Sequence, residues 1–150
     1  MRLLLQRVQH CSLVIDGREH SRIDHGLLAL VGIEADDTRE DADWLVSKMV
    51  RMRIFSDEEG KMNRDVIESG GSIMVVSQFT LHASTKKGNR PSFIRAARPE
   101  QAIPLYDYVV KQASTQLGRE VAMGVFGADM KITLLNDGPV TIWMDSKEKE

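Results

Sequence analysis

Two short segments carry residues that packing alone does not explain. Ser77-Gln78-Phe79-Thr80-Leu81 sets two hydroxyls and a carboxamide at the end of an apolar run that begins at Ser72, and strand ends that open into loops are where sites are commonly built. The same residues also fit an alternating strand whose hydroxyls satisfy local backbone groups. The second segment is Asn136-Asp137-Gly138-Pro139-Val140-Thr141. Its Gly-Pro bond is a tertiary amide, the type that adopts cis most readily, although the local sequence favours an ordinary trans hairpin turn. A third feature is charge: the 31 residues from Ser69 to Pro99 hold no acid but contain Lys86, Lys87, Arg90, Arg95 and Arg98. A cationic loop beside a candidate site points to an anionic substrate such as a polynucleotide. A solvated basic loop balanced by acids elsewhere fits the charge pattern equally well.

Several other chemistries are excluded or weak. The chain has no Gly-rich phosphate loop, no His-Glu-x-x-His pair and no Gly-x-Ser-x-Gly elbow, which removes the common nucleotide, metalloprotease and α/β-hydrolase readings. His10, His20, His25 and His82 lack ligand spacing and read as structural or surface residues. Cys11, the one cysteine, reads as a small buried apolar residue and excludes an intrachain disulfide. Twenty Lys and Arg against twenty-two Asp and Glu give a net charge of -2, so a nucleic-acid partner would have to be held by a local patch.

The elements that must position these residues follow from periodicity. With 150 residues, 42% of them hydrophobic, the chain can bury a core as one domain over 1–150. Leu, Val and Ile patterning predicts strands near 2–9, 12–16 and 18–23, with Asp16-Gly17 as a hairpin turn. The apolar run Leu27 to Ile33 predicts a central strand covered on both faces. Ala42, Leu45, Val46, Met49 and Val50 repeat at helical spacing, predicting a helix over 38–52 capped by Thr38 with Asp41 three residues on. The acids in 34–43 read as capping and solvation of that helix. A short hairpin joins Ile54-Phe55 to Lys61-Met62, a strand covers 72–81, and 82–98 is a long loop. A second helix spans about 100–117 and stops at Gly118; Pro104 argues for a start nearer 103. Strands near 120–126, 129–135 and 140–145 follow, the last two joined by the Asn136–Pro139 turn, with a solvated tail at 147–150. The fold expected is α+β: a mixed or antiparallel β-sheet, barrel-like, with two main helices. No apolar run reaches the length of a membrane span or a signal peptide, so the chain is expected in the cytoplasm.

Together the motifs say more than any one of them. The sequence resembles the D-aminoacyl-tRNA deacylase family, also called D-tyrosyl-tRNA deacylases, over essentially its whole length. The resemblance is carried by Arg7-Val8-Gln9, Arg53-Ile54-Phe55, Gly60-Lys61-Met62-Asn63, Ser77 to Leu81, Arg90-Pro91-Ser92-Phe93, Ala128-Asp129-Met130 and Asn136 to Thr141. It implies a homodimeric hydrolase, without metal or cofactor, that cleaves D-amino acids or glycine from tRNA. It further implies an active site at the subunit interface, with Ser77, Gln78, Phe79 and Thr80 from one subunit and a cis Gly138-Pro139 from the other. In that arrangement Arg7 locks the Gly-Pro carbonyls; the charge of the loop, read beside it, makes Lys86, Lys87, Arg90 and Arg95 the residues expected to bind tRNA. An older reading makes Thr80 a nucleophile with His82 as its base, on the same strand face. A small-ester hydrolase built on Ser77, Thr80 and His82, and a non-catalytic tRNA-binding module, stand as alternatives.

Overall fold

Asp16 and Gly17 both take positive φ, 49° and 74°, and fold the first strand back on the residues that follow. The computed structural model describes residues 1–149. Its elements run β1 (Arg2–Ile15), β2 (Arg18–Ile23), β3 (Gly26–Gly32), α1 (Arg39–Arg51), β4 (Phe55–Ser56), β5 (Met62–Arg64), β6 (Ser72–Ser77), a 3₁₀ turn (Phe79–His82), α2 (Pro99–Leu117), β7 (Ala122–Met123) and β8 (Met130–Asp145). The two strands expected at 2–9 and 12–16 are one, β1. It carries β2 and β3 in succession on one flank, Cys11 facing Ile23 and Val8 facing Gly26, and β8 on the other. β6 joins β3 in parallel and β7 joins β6. The mixed sheet curls towards closure, Ser21 Oγ donating to the carbonyl of Met123 at 3.1 Å.

Both faces of the central strands are covered. Leu27, Ala29, Val31, Ile73 and Val75 pack with Leu45, Val46 and Met49 of α1 and Leu105, Tyr106 and Val109 of α2. The alternate residues Leu28, Met74 and Val76 meet Val8, Cys11 and Leu13 inside the curl. Truncating any of the large ones would cost about 2–5 kcal/mol. Cys11 is buried, and burial pushes its thiol up to about 11, so it packs and does not react. The cap of α1 is as expected, Asp41 accepting from the Thr38 amide at 2.8 Å and from its hydroxyl at 3.1 Å.

Besides β1, four elements depart from the sequence reading. The strand expected over 72–81 ends at Ser77, because its ladder partner β3 ends at Gly32 and the amide of Gln78 takes the carbonyl of Val31 as its last bond, 2.7 Å. The second helix starts at Pro99 and runs through Pro104; that ring lies on the exposed side, where the carbonyl it leaves unbonded is free to be hydrated. The strand near 120–126 shrinks to Ala122–Met123. The two C-terminal strands are a single strand, β8, because both halves pair with β1 in the same direction. Between Val8 facing Asn136 and Gln6 facing Thr141, β1 has only Arg7, so Asp137 to Val140 bulge out opposite it.

Candidate active site

The 3₁₀ turn at the end of β6 stands beside a cleft of about 320 Å³ lined by Val31, Ile33, Ser77, Gln78, Phe79 and residues 126–130 among others. Gly32 lets the turn lie directly on β3: a Cβ there would stand 2.9 Å from Leu81 Cβ and 3.1 Å from the Gln78 carbonyl. Within the turn the Leu81 amide bonds to Gln78 and the Ala83 amide to Thr80. The amides of Phe79 and Thr80 come first in the turn and have no partner inside it. Two adjacent N–H groups of this kind can stabilise negative charge on a carbonyl oxygen. Phe79 is 55% exposed, and its ring meets Phe93 edge to face at 5.1 Å, which couples the turn to the long loop.

Thr80 is exposed and its hydroxyl accepts from Gln78 Nε2 at 2.5 Å. His82 does not share a strand face with it, as the sequence reading allowed, because these residues form a turn and not a strand. Its ring is buried with neither nitrogen hydrogen-bonded, and Nδ1 lies 3.9 Å from Glu34 Oε2. Burial depresses its basicity; the Gly32 backbone and the Glu34 charge offset only part of that effect. His82 is therefore a buried structural residue.

The Gly138-Pro139 bond is cis, and both residues are exposed at the crest of the β8 bulge. Asn136 closes the bulge: its Oδ1 accepts from the Val140 amide at 2.8 Å and its Nδ2 donates to the Val140 carbonyl at 3.2 Å. Arg7 is 9% exposed and lies against Gly138, whose added Cβ would stand 3.0 Å from Nη2. Its hydrogen bonds go to the carbonyl of Asp137, 3.0 Å, and to that of Ile54; the first of these is one peptide before Gly-Pro. The bulge does not border its own chain's cleft. Ser77 faces Val31, Val31 faces Leu3, and Leu3 faces Met144, whereas the bulge is level with Arg7. Measured along the sheet, that is roughly 14 Å across three ladder steps and roughly 13 Å along the strands.

Lys86, Lys87 and Arg90 are exposed and, among the described residues, have no ion-pair partner. Arg95 differs from them: its Nε and Nη2 both donate to Glu34 Oε2, at 3.1 and 2.8 Å. The acidic run is also more than capping and solvation. Glu34 and Asp37 are buried, Asp37 bonding the Met1 amine and lying 3.7 Å from Lys147 Nζ. Glu34, Asp36 and Asp37 converge within 4.8 Å, and each faces a cation of the chain itself. Sequence reading missed Arg2, whose Nη1 donates to the Leu81 carbonyl at 2.8 Å and whose Nε donates to Asp145 at 2.9 Å. No local pattern signals a contact between residues so far apart.

The fold thus joins a mixed, curled sheet with two helices to an open amide turn and a bulged Gly-Pro strand. The chain belongs to the family whose model is described as D-Tyr-tRNA(Tyr) deacylase, which matches residues 4–145. It is 62% identical to a D-aminoacyl-tRNA deacylase of Parabacteroides distasonis and 57% identical to one of Flavobacterium johnsoniae, each over 150 residues and the whole of both chains. Among solved structures it is similar to a c-Myc DNA unwinding element binding protein, with a TM-score of 0.92 at 36% identity over 97% of this chain and 98% of that one. A probable eukaryotic D-amino acid tRNA deacylase has the same fold, with a TM-score of 0.82 at 18% identity over 95% and 97%.

Proposed function

We propose that this chain is a D-aminoacyl-tRNA deacylase, which hydrolyses the ester between a D-amino acid, or glycine mischarged on alanine tRNA, and the terminal adenosine of tRNA. Chiral proofreading in translation, in the cytoplasm, is its role. The observation that carries the reading is 62% identity to such a deacylase along the entire chain; the open turn beside a cleft supplies the chemistry.

The Phe79 and Thr80 amides hold the oxyanion, with Ser77 and Gln78 shaping the cleft wall and the Phe79 ring covering the adenine. Water, assisted by the tRNA 2′-hydroxyl, adds to the ester carbon. The tetrahedral intermediate then breaks its bond to the ribose oxygen, which leaves with the proton that water gives up. Thr80 has no base beside it, which disfavours the Ser77, Thr80 and His82 esterase. Gly138 and Pro139 stand too far along the sheet to serve their own chain's turn, so they serve the partner's, in a homodimer. There their carbonyls accept from the substrate ammonium and leave no space for an L side chain, with Arg7 bracing the bulge. Lys86, Lys87 and Arg90 take tRNA phosphates, while Arg95 is committed to Glu34 and anchors the loop.

The test is release of labelled amino acid from D- and L-tyrosyl-tRNA. Release from the D substrate alone, with EDTA present or absent, is expected. Equal hydrolysis of both would overturn chiral selection, and binding without turnover would favour the non-catalytic tRNA-binding module.

A further inference from the structure

The cleft-side turn is held from behind by a cation the mechanism does not use. Arg2, on β1, presents two edges of its planar guanidinium to two fixed acceptors: Nε to Asp145 Oδ2 of β8 at 2.9 Å and Nη1 to the Leu81 carbonyl at 2.8 Å. The Trp143 ring lies over it, 5.3 Å from Cζ to the ring centre. Only 17% of the Arg2 side chain and 5% of Asp145 are exposed. Asp145 is itself fixed, since its Oδ1 accepts from the Lys147 amide at 2.9 Å.

We propose that Arg2, oriented by Asp145, is a positioning residue for the 3₁₀ turn and sets the direction of the Phe79 and Thr80 amides. The proposal rests on the deacylase reading for its catalytic consequence. Leu81 is near the end of the turn, where carbonyls lack helical partners, and a charge-assisted bond to such a carbonyl is short and directional. Fixing the Leu81 carbonyl fixes the peptide plane after it, and with it the rotation of a turn only four residues long. Gly32 seats the turn on β3 from one side; Arg2 holds it from β1. A largely buried ion pair contributes little net stability and is often replaceable by apolar residues at no cost. What this pair adds is a fixed geometry, because the two forks of Arg2 tie the turn to β8.

The experiment compares wild type, Arg2→Met, Arg2→Lys and Asp145→Asn in the full chain, with D-tyrosyl-tRNA as substrate and hydrogen exchange at the Leu81 and Ala83 amides as a readout independent of catalysis. For Arg2→Met we expect kcat to fall about 10–100-fold, the scale of a roughly 1 Å misplacement, with KM within about twofold. Both amides should exchange faster than the rest of the fold, by more than the general loss of stability that leaving Asp145 unpaired brings. Arg2→Lys, which keeps the charge but lacks the planar fork that holds both acceptors at once, should recover only part of kcat. Asp145→Asn should give an intermediate loss, and serves alone should Arg2→Met fail to fold. Wild-type kcat and exchange in the folded Arg2→Met or Asp145→Asn protein would overturn the proposal, as would a loss confined to KM. If the wild type itself does not release D-tyrosine, the deacylase reading fails, and the exchange measurement still decides whether Arg2 holds the turn.

Discussion

Thr80 and His82, two positions apart, stand in opposite environments: Thr80 is exposed beside the cleft, whereas His82 is 1% exposed, with its Nδ1 3.9 Å from the Glu34 carboxylate. A hydroxyl without an adjacent base is a weak nucleophile. We expect Thr80→Ala to keep kcat within about tenfold of wild type, since the amide it contributes survives the substitution. A loss beyond the 10²–10³-fold or so that removal of one oxyanion donor costs, or an acyl group found on Thr80 by mass spectrometry, would assign the chemistry to the side chain.

The basic loop is expected to supply affinity. Lys86 and Lys87 are exposed, so replacing both with Ala should weaken tRNA binding and flatten the salt dependence by a slope of about 1–2. Arg95→Ala should leave that slope nearly unchanged, because its charge already sits on Glu34. Filter binding across a salt series measures both, and a slope unaffected by the double lysine substitution would make the loop a solvated face.

Gly138 has φ +135°, and a Cβ there would stand 2.8 Å from Val140 Cγ2 and 3.0 Å from Arg7 Nη2. Gly138→Ala should therefore cost about 1 kcal/mol or more of stability, and damage turnover further by filling the space for the substrate α-carbon. A shared site makes a stronger forecast. Phe79→Pro, which removes one of the two oxyanion amides, and Gly138→Trp, each nearly inactive as homodimers, should recover about a quarter of wild-type activity after co-refolding, since half the dimers are mixed and each has one intact site. Activity in a monomer would refute it.

Acid should destabilise the fold through His82. Burial lowers its pKa, so below about pH 6.5, the ordinary histidine value, the unfolded chain binds a proton that the folded one refuses. Stability is fully present above that pH and falls as pH drops through the window down to the folded pKa. The melting temperature of wild type should fall between pH 7 and pH 5, and His82→Leu should flatten that fall. At lower pH Asp41 takes over. Burial pushes its carboxyl up, but hydrogen bonds from Ser146 and Thr38 together with the Lys147 charge prevail and hold it at about 2. It contributes on the order of 2 kcal/mol at neutral pH, lost as pH falls from about 4 towards 2.

What the sequence determined by itself is what adjacent residues decide among themselves. Thr38 and Asp41 cap a helix they begin, Asp16-Gly17 turns a hairpin, and the double-sided burial of Leu27 to Val31 is written in an unbroken apolar run. Ser77 to Thr80 and Asn136 to Thr141 were legible as motifs for the same reason. Their conformations were not, because each depends on a distant strand. The end of β3 at Gly32 stops β6 and makes Phe79 to His82 a turn, and the direction of β1 opposite Arg7 turns a seeming hairpin into a bulge. Arg2 on Leu81, Arg95 on Glu34 and Met1 on Asp37 likewise join residues 79, 61 and 36 positions apart. Hydrophobic periodicity records which face of an element is buried but not which element buries it, so only the tertiary structure could decide these contacts.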